Sequence, residues 1–221
     1  MKQSRILLVD DHPLLNEGLR QVITSEPGLS VCGAAGNAQE ALALVESTHP
    51  DLVITDLTMP GRNGLELIKD LNATHPELPI LMLSLHDELL YAERVLRAGG
   101  RGYVNKSAPM ESLIEAIHCV LAGGVFASPA VTKHFLQNLL PGKTQANASF
   151  PLKRLTDREM EVFELIGQTK GNHDIACQLG ISQRTVDVHR ANIREQLGLA
   201  SSGALTRHAI RWVELGLIGS D

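Results

Sequence analysis

The chain has 221 residues, 43% of them hydrophobic and 20% charged, which is enough for one large or two ordinary domains. Its net charge of −5 is unevenly spread: residues 1–123 hold 9 Lys and Arg against 16 Asp and Glu, residues 124–150 hold 2 Lys and no acid, and residues 151–221 hold 9 of each sign. No apolar run reaches the roughly 20 residues that span a bilayer, and the Met1–Arg5 start has no signal-peptide pattern, so a cytoplasmic protein without membrane partners is expected.

The first 123 residues alternate strand and helix signals. Strand patterns fall at Arg5–Val9, Ser30–Ala35, Asp51–Asp56, Pro79–Ser84 and Gly102–Val104. Helical spacing falls between them, at Leu14–Ile23, Ala38–Ser47, Gly64–Leu71, Glu88–Arg97 and, last, Met110–Leu121. Five strands alternating with five helices predict an α/β fold, a flavodoxin-like doubly wound (βα)5 sheet. Residues 124–150 read as a linker with one helix over 129–140, followed by a polar, turn-rich stretch from Pro141 to Ser149.

Residues 151–221 predict a small all-α domain. Thr156 with Glu159 three residues on is a capping box, and Val162, Phe163 and Ile166 supply the stripe behind it. A second helix ends at Leu179, the turn Gly180-Ile181-Ser182 follows, and a third helix runs to Leu197 before Gly198. A fourth covers about Gly203–Leu215. Helix, tight turn, helix is the layout of a helix-turn-helix. The cysteines, Cys32, Cys119 and Cys177, are scattered in apolar contexts, so neither a disulfide framework nor a zinc site is expected and they read as small core residues.

Acidic residues mark the strand ends. Asp10-Asp11 close the first strand and Asp56 the third. In a strand order 2-1-3-4-5 these ends meet where the topology switches direction, beside Ser84 after the fourth strand and Lys106 after the fifth. Clustered carboxylates repel unless a cation joins them, and oxygen ligands without His or Cys suit Mg²⁺. Such an ion together with Lys106 would neutralise an incoming phosphoryl group while Asp56 attacks it, with Ser84 donating a hydrogen bond.

With Asp10-Asp11, Asp56, Met59-Pro60-Gly61, Gly64, Ser84, Tyr103 and Lys106 in this order, residues 5–123 resemble the receiver domain of two-component response regulators. The resemblance implies that Asp56 is the phosphoacceptor. It implies that Asp11, Asp56 and the Thr58 backbone carbonyl bind Mg²⁺, with Asp10 acting partly through water. Lys106 would pair with the phosphoryl group, Ser84 would move toward it, and Tyr103 would rotate inward. Many receivers place Pro directly after the lysine. Here Ser107-Ala108-Pro109 intervenes, which leaves the isomer of the Lys106–Ser107 bond open.

The third C-terminal helix can be sorted by face. Val186, Ile193 and Leu197 form the buried stripe. Arg184, Val188, Ala191 and Glu195 lie opposite, with Asp187 and Asn192 at the margins. Arg184 is placed to reach guanine, Asn192 adenine, and Val188 or Ala191 a thymine methyl. Arg190, Arg194, Lys170 and the Thr185 hydroxyl are better placed for phosphates. From Leu155-Thr156 through Leu179-Gly180-Ile181-Ser182 and His189-Arg190 to Leu197-Gly198, the segment resembles the LuxR/FixJ-type DNA-binding domain.

Paired with the receiver it makes the chain resemble a NarL/FixJ-family response regulator. The implied function is a phosphorylation-dependent DNA-binding regulator, with a sensor histidine kinase or a small acyl phosphate as donor, double-stranded DNA as target, and a homodimer as the active form. Leu205, Ala209 and Trp212 of the fourth helix are candidates for either the dimer contact or the domain core. Three departures remove basic groups: Asp187, His173 and Gln196 stand where many relatives are basic. Nonspecific DNA affinity is therefore expected to be weak, with a shallow salt dependence. An aspartyl-phosphate enzyme would need a second carboxylate two residues after Asp56, where Thr58 stands. No activity beyond self-phosphorylation and self-dephosphorylation is expected.

Overall fold

A computed structural model of the chain describes residues 3–139 and 151–218, so the polar stretch expected from 141 to 149 lies outside the described residues. The residues fall into two compact units, Met1–Gln137 and Asn138–Asp221.

In the first unit, β1 (Ser4–Val9), β2 (Leu29–Ala35), β3 (Leu52–Thr55), β4 (Ile80–Ser84) and β5 (Gly102–Asn105) form one sheet in the order β2-β1-β3-β4-β5, every pairing parallel. Helices α1 (Pro13–Ser25), α2 (Ala38–Thr48), α3 (Gly64–Thr74), α4 (Glu88–Ala98) and α5 (Met110–Leu121) connect the strands. β3 and β4 are buried along their whole length, which is why they read as unbroken apolar runs rather than alternating ones. The α/β reading holds, with element ends shifted by one to three residues. Pro13 opens α1 because a first-turn residue has no helical N–H partner to lose.

Local chemistry sets several helix starts. Asn63 and Glu66 form a reciprocal capping box at α3, and the Asp87 side chain accepts the Leu89 N–H at α4. α4 stops at Gly99, whose φ of 105° suits glycine. Register then aligns the carboxyl ends: Val9 pairs with Thr55, and Ser84 with Asn105. The ladder carries one step further, through Asp56 N–H to Val9 O and Lys106 N–H to Ser84 O. Asp10, Asp56, Ser84 and Lys106 thus reach one rim.

A sixth helix, α6 (Pro129–Leu139), follows. The sequence assigns this helix to the linker, yet the first compact unit runs to Gln137 and takes in most of it. Val131 is buried, and Phe126 packs against the core built on Ile6, Leu8 and Ile117.

The second unit begins with a 3₁₀ turn, Pro151–Arg154, and continues through α7 (Asp157–Gly167), α8 (Asn172–Leu179), α9 (Gln183–Gln196) and α10 (Ser202–Ile218). The Thr156–Glu159 capping box forms as expected. Phe163, Ile175, Leu179, Val186, Ile193, Leu205 and Ala209 close the core, each side chain gaining about 1–3 kcal/mol from burial. No described helix is long and apolar enough to cross a membrane.

Candidate functional site

The rim of the first unit holds a compact charged cluster. Lys106 Nζ lies 2.6 Å from Asp10 Oδ2 and 3.0 Å from Asp56 Oδ2, and all three side chains are nearly withdrawn from solvent, at 11%, 5% and 7% exposure. Burial pushes the Asp56 carboxyl above its ordinary value, although Lys106 and the Leu57 N–H pull the other way. Lys106 moves up as well: burial lowers it, but two carboxylates and their hydrogen bonds outweigh that. The two directions are compatible. One ammonium faces two carboxylates, so the lysine is held charged, while at Asp56 burial outweighs its share of that one cation.

Asp56 Oδ1 accepts the N–H of Leu57, which aims the other oxygen at the cluster. Gly64 lets α3 begin directly against this turn, because a Cβ there would collide with the Asp56 carbonyl. Ser84 is fully buried, and its Oγ accepts the His86 N–H at 3.4 Å. Thr58 faces the same side and shares a 2.8 Å hydrogen bond between its hydroxyl and His86 Nε2.

Asp10, Asp11, His12 and Asp56 bring one ligand atom each within 4.8 Å of one another. His12 Nδ1 sits 2.9 Å from both Asp10 Oδ1 and Asp11 Oδ1, and its pKa rises because Asp10 accepts its hydrogen bond and Asp11 adds negative charge. The clustered carboxylate oxygens fit a hard divalent cation, with the His12 imidazole held beside them by its hydrogen bond to Asp10.

The second unit presents a different surface. Ser182 caps α9 by accepting the Thr185 N–H, and Gly180, at φ 62°, makes the turn from α8. Val186 and Ile193 face inward, whereas Arg184, Asp187, Val188, Ala191, Asn192 and Glu195 are exposed. The outward face of α9 thus mixes the short side chains of Asp187, Val188, Ala191 and Asn192 with the long ones of Arg184 and Glu195.

Comparison with known proteins agrees with both halves. Residues 6–118 match the response regulator receiver domain family, and residues 153–209 match the luxR family of bacterial regulatory proteins. The transcriptional regulatory protein DegU of Brevibacillus brevis is 32% identical over 225 residues, covering 96% of this chain and 95% of its own. The oxygen regulatory protein NreC of Staphylococcus aureus is 33% identical, covering 94% and 97%. The chain is a response regulator of the NarL/FixJ family. Among solved structures, a LuxR-family response regulator from an Aurantimonas species is 36% identical over 62% of this chain and 98% of that one, with a TM-score of 0.59. RcsB of Salmonella typhimurium shares the fold at 23% identity, covering 96% and 98% with a TM-score of 0.70.

This response regulator is accordingly a DNA-binding transcription regulator with a receiver and a LuxR-type helix-turn-helix, a family that is not one of conventional enzymes. Its receiver rim gathers Asp10, Asp11, Asp56, Thr58, Ser84 and Lys106. The structure adds to these expectations. His12 borders the carboxylate cluster, because α1 starts one residue after it and turns the ring back over Asp10 and Asp11. Tyr103 lies inward in this structure: it is 2% exposed, and its hydroxyl donates to the His86 carbonyl at 2.6 Å. The Lys106–Ser107 bond is trans, as are all peptide bonds among the described residues.

In the regulator's second unit, Leu205 and Ala209 are buried and Trp212 packs on Phe163 with ring centroids 5.8 Å apart, so these residues serve the domain core rather than a free dimer surface. The cysteines are not core residues: Cys32 and Cys119 are half-buried, and Cys177 is exposed because Ile175, Ala176 and Leu179 take the inner face of α8. Lys170 is exposed, while Thr185 holds the Ser182 hydroxyl at 2.7 Å. Arg190 and Arg194 lean on α10 through Thr206 and Ser202.

Sequence reasoning missed two receiver residues besides His12. Asn16 donates to the Asp10 carbonyl at 2.8 Å and fixes the end of β1. His86 bridges Thr58 and Tyr103. Both had a weak signal, a polar residue one helical turn or one loop step from a strand end.

Proposed function

We propose that Asp56 accepts a phosphoryl group and that its state governs DNA binding by α9. The supporting observation is the buried cluster in which one lysine is shared by two carboxylates. A second cation is needed before a dianionic group can enter. Mg²⁺ held by Asp10, Asp11, Asp56 and the Thr58 carbonyl would supply that charge. An Asp56 oxygen forms the new bond to phosphorus as the P–N bond of a kinase phosphohistidine, or the P–O bond of a small acyl phosphate, breaks. Lys106 keeps its proton and follows the charge. Ser84 turns its hydroxyl toward the phosphoryl oxygens. Water later returns the group to solvent, so the chain modifies itself and turns over no separate substrate.

In this reading residues 1–123 are the receiver and 151–221 the DNA-binding domain, acting in the cytoplasm, with 124–150 between them. Arg184, Val188, Ala191 and Asn192 meet base edges, with Asp187 at the margin of the same DNA-facing surface, where its carboxylate stands in place of a phosphate contact. Thr185, Lys170, Arg190 and Arg194 meet phosphates. RcsB has been solved on promoter rprA with phosphomimetic BeF3⁻, and as two dimers on two parallel DNAs, which favours a dimer as the DNA-bound form here. Two helix-turn-helix units would then read half-sites about one helical turn apart.

The test is incubation of wild type and Asp56→Asn with acetyl phosphate and Mg²⁺, following mass, size and DNA affinity. Wild type gains one phosphoryl group, associates and binds DNA more tightly, while the variant does none of these. An unmodified wild type, or equal DNA binding by both proteins, overturns the reading.

A further inference from the structure

After α5 the chain folds back along the open edge of the sheet. Phe126 donates its N–H to the Arg101 carbonyl at 2.9 Å, and its own carbonyl accepts the Tyr103 N–H at 3.4 Å. This makes a parallel bridge opposite Gly102, outside edge strand β5. The approach requires glycine, because a Cβ on residue 102 would lie 2.8 Å from the Phe126 carbonyl oxygen.

Two residues on, Ser128 makes a second attachment. Its hydroxyl accepts the Val131 N–H at 3.2 Å, capping α6, and donates to Glu88 Oε1 at 2.9 Å. Glu88 is the first residue of α4, two positions after His86. Val131, in the first turn of α6, is 2% exposed.

Tyr103 joins this edge to the phosphoacceptor rim. Its main chain holds Phe126, and its hydroxyl donates to the His86 carbonyl. The loop after β4, from Ser84 to Asp87, is therefore tied to the start of α6 twice, once through Tyr103 and once through Glu88. Sheet order fixes the sense of any pull. β3, which ends just before Asp56, lies on one side of β4, and β5 with the Phe126 bridge lies on the other.

We infer that residues 126–128 form a strap holding the start of α6 to β5 and α4, and that phosphorylation of Asp56 loosens it. The inference rests on the phosphorylation reading above. Movement of Ser84 toward a phosphoryl group on β3 draws the loop away from the sheet edge, which strains the Glu88–Ser128 contact and frees the helix that leads on to the DNA-binding unit.

Hydrogen exchange of the full chain at amides 126–132, with and without acetyl phosphate and Mg²⁺, tests this. Exchange should rise on phosphorylation by about two- to tenfold, the value of one hydrogen bond. Ser128→Ala should show the raised exchange before phosphorylation, while Asp56 is modified at the wild-type rate. On duplexes selected from a random pool by phosphorylated wild type, unphosphorylated Ser128→Ala should bind nearly as well as phosphorylated Ser128→Ala. Glu88→Ala, which removes the acceptor and leaves the Ser128 cap in place, should do the same if Ser128→Ala unfolds.

Unchanged exchange in phosphorylated wild type, or a full phosphorylation-dependent gain in DNA affinity in both variants, overturns the strap. In either case the role of Asp56 stands. A wild type that takes up no phosphoryl group overturns both.

Discussion

The two units handle charge in opposite ways. In the first, the working charges are withdrawn from water and neutralise one another, with Lys106 shared between Asp10 and Asp56. In the second, the buried charges are scaffolding: Arg158 pairs with Glu161 at 2.6 Å and caps the Leu179 carbonyl, while the outward residues of α9 stay in solvent. A group that bonds to phosphorus gains from desolvation and fixed neighbours, because electrostatic effects strengthen away from water. A surface that enters a groove must stay open, with its rigidity supplied from behind.

The comparison breaks most sharply at two glycines. Gly64→Ala sets a Cβ against the Asp56 carbonyl, and Gly167→Ala sets one 2.6 Å from the Ala209 carbonyl oxygen. Each should unfold its own unit and spare the other, at about 3 kcal/mol or more since the opposing atoms are backbone. Trp212, the chain's single tryptophan, reports on the second unit by fluorescence, so its transition should move in Gly167→Ala and stay in Gly64→Ala.

Lys106→Met comes next. Removing the shared ammonium leaves Asp10 and Asp56 facing each other, which should destabilise the first unit by about 3 kcal/mol without Mg²⁺. Added Mg²⁺ should then raise the melting temperature more than it does for wild type. An equal rise in both proteins would mean that the lysine and the metal do not share the pocket's charge.

Acid should separate the units more gently. His189 is held below its ordinary value by burial and by Arg158, against Glu159. The unfolded chain therefore takes up a proton that the native chain refuses, and stability is lost as pH falls below 6.5. Glu159 is also lowered: burial raises it, but hydrogen bonds from Thr156, Gln196 and Asn192 prevail. Its contribution is present above 4.5 and goes as pH falls through the native value. Asp56 has the opposite sign, since its raised native value makes acidification relieve the first unit. Between pH 7 and 5 the Trp212 transition should move to lower stability, and His189→Gln should flatten that fall.

The smallest effect concerns α9. Asp187 accepts the Asn172 amide across the turn, so a carboxylate is fixed where a cation would aid DNA binding. Asp187→Lys should tighten binding to all duplexes and steepen the slope of log K against log salt by about 1 per monomer. A slope unchanged by the substitution would remove position 187 from the phosphate contacts.

Much of this protein was legible in the chain because its signals are local. Apolar runs ending in Asp10 and Asp56, the Thr156–Glu159 box and the Gly180-Ile181-Ser182 turn each state their geometry within a few residues. The face of α9 followed from helical spacing, since Val186 and Ile193 can only point one way if Arg184 and Val188 point the other. Asn192 shows the limit: it is exposed as expected, yet its amide also reaches back to Glu159.

Tertiary packing decided what local pattern leaves open. Leu205 and Ala209 suit a dimer contact or a core equally well in sequence, and only the seat of α10 against α7 assigns them to the core. Cys177 lies among apolar neighbours but outside, because three stronger residues claim the inner face of α8. His12 and Asn16 join Asp10 only when α1 packs back on the sheet. The attachment of Phe126 and Ser128 pairs residues up to 40 positions apart, so no window of sequence contains both ends. Spacing along the chain sets which way a side chain points, and the packing of distant segments sets what it meets there.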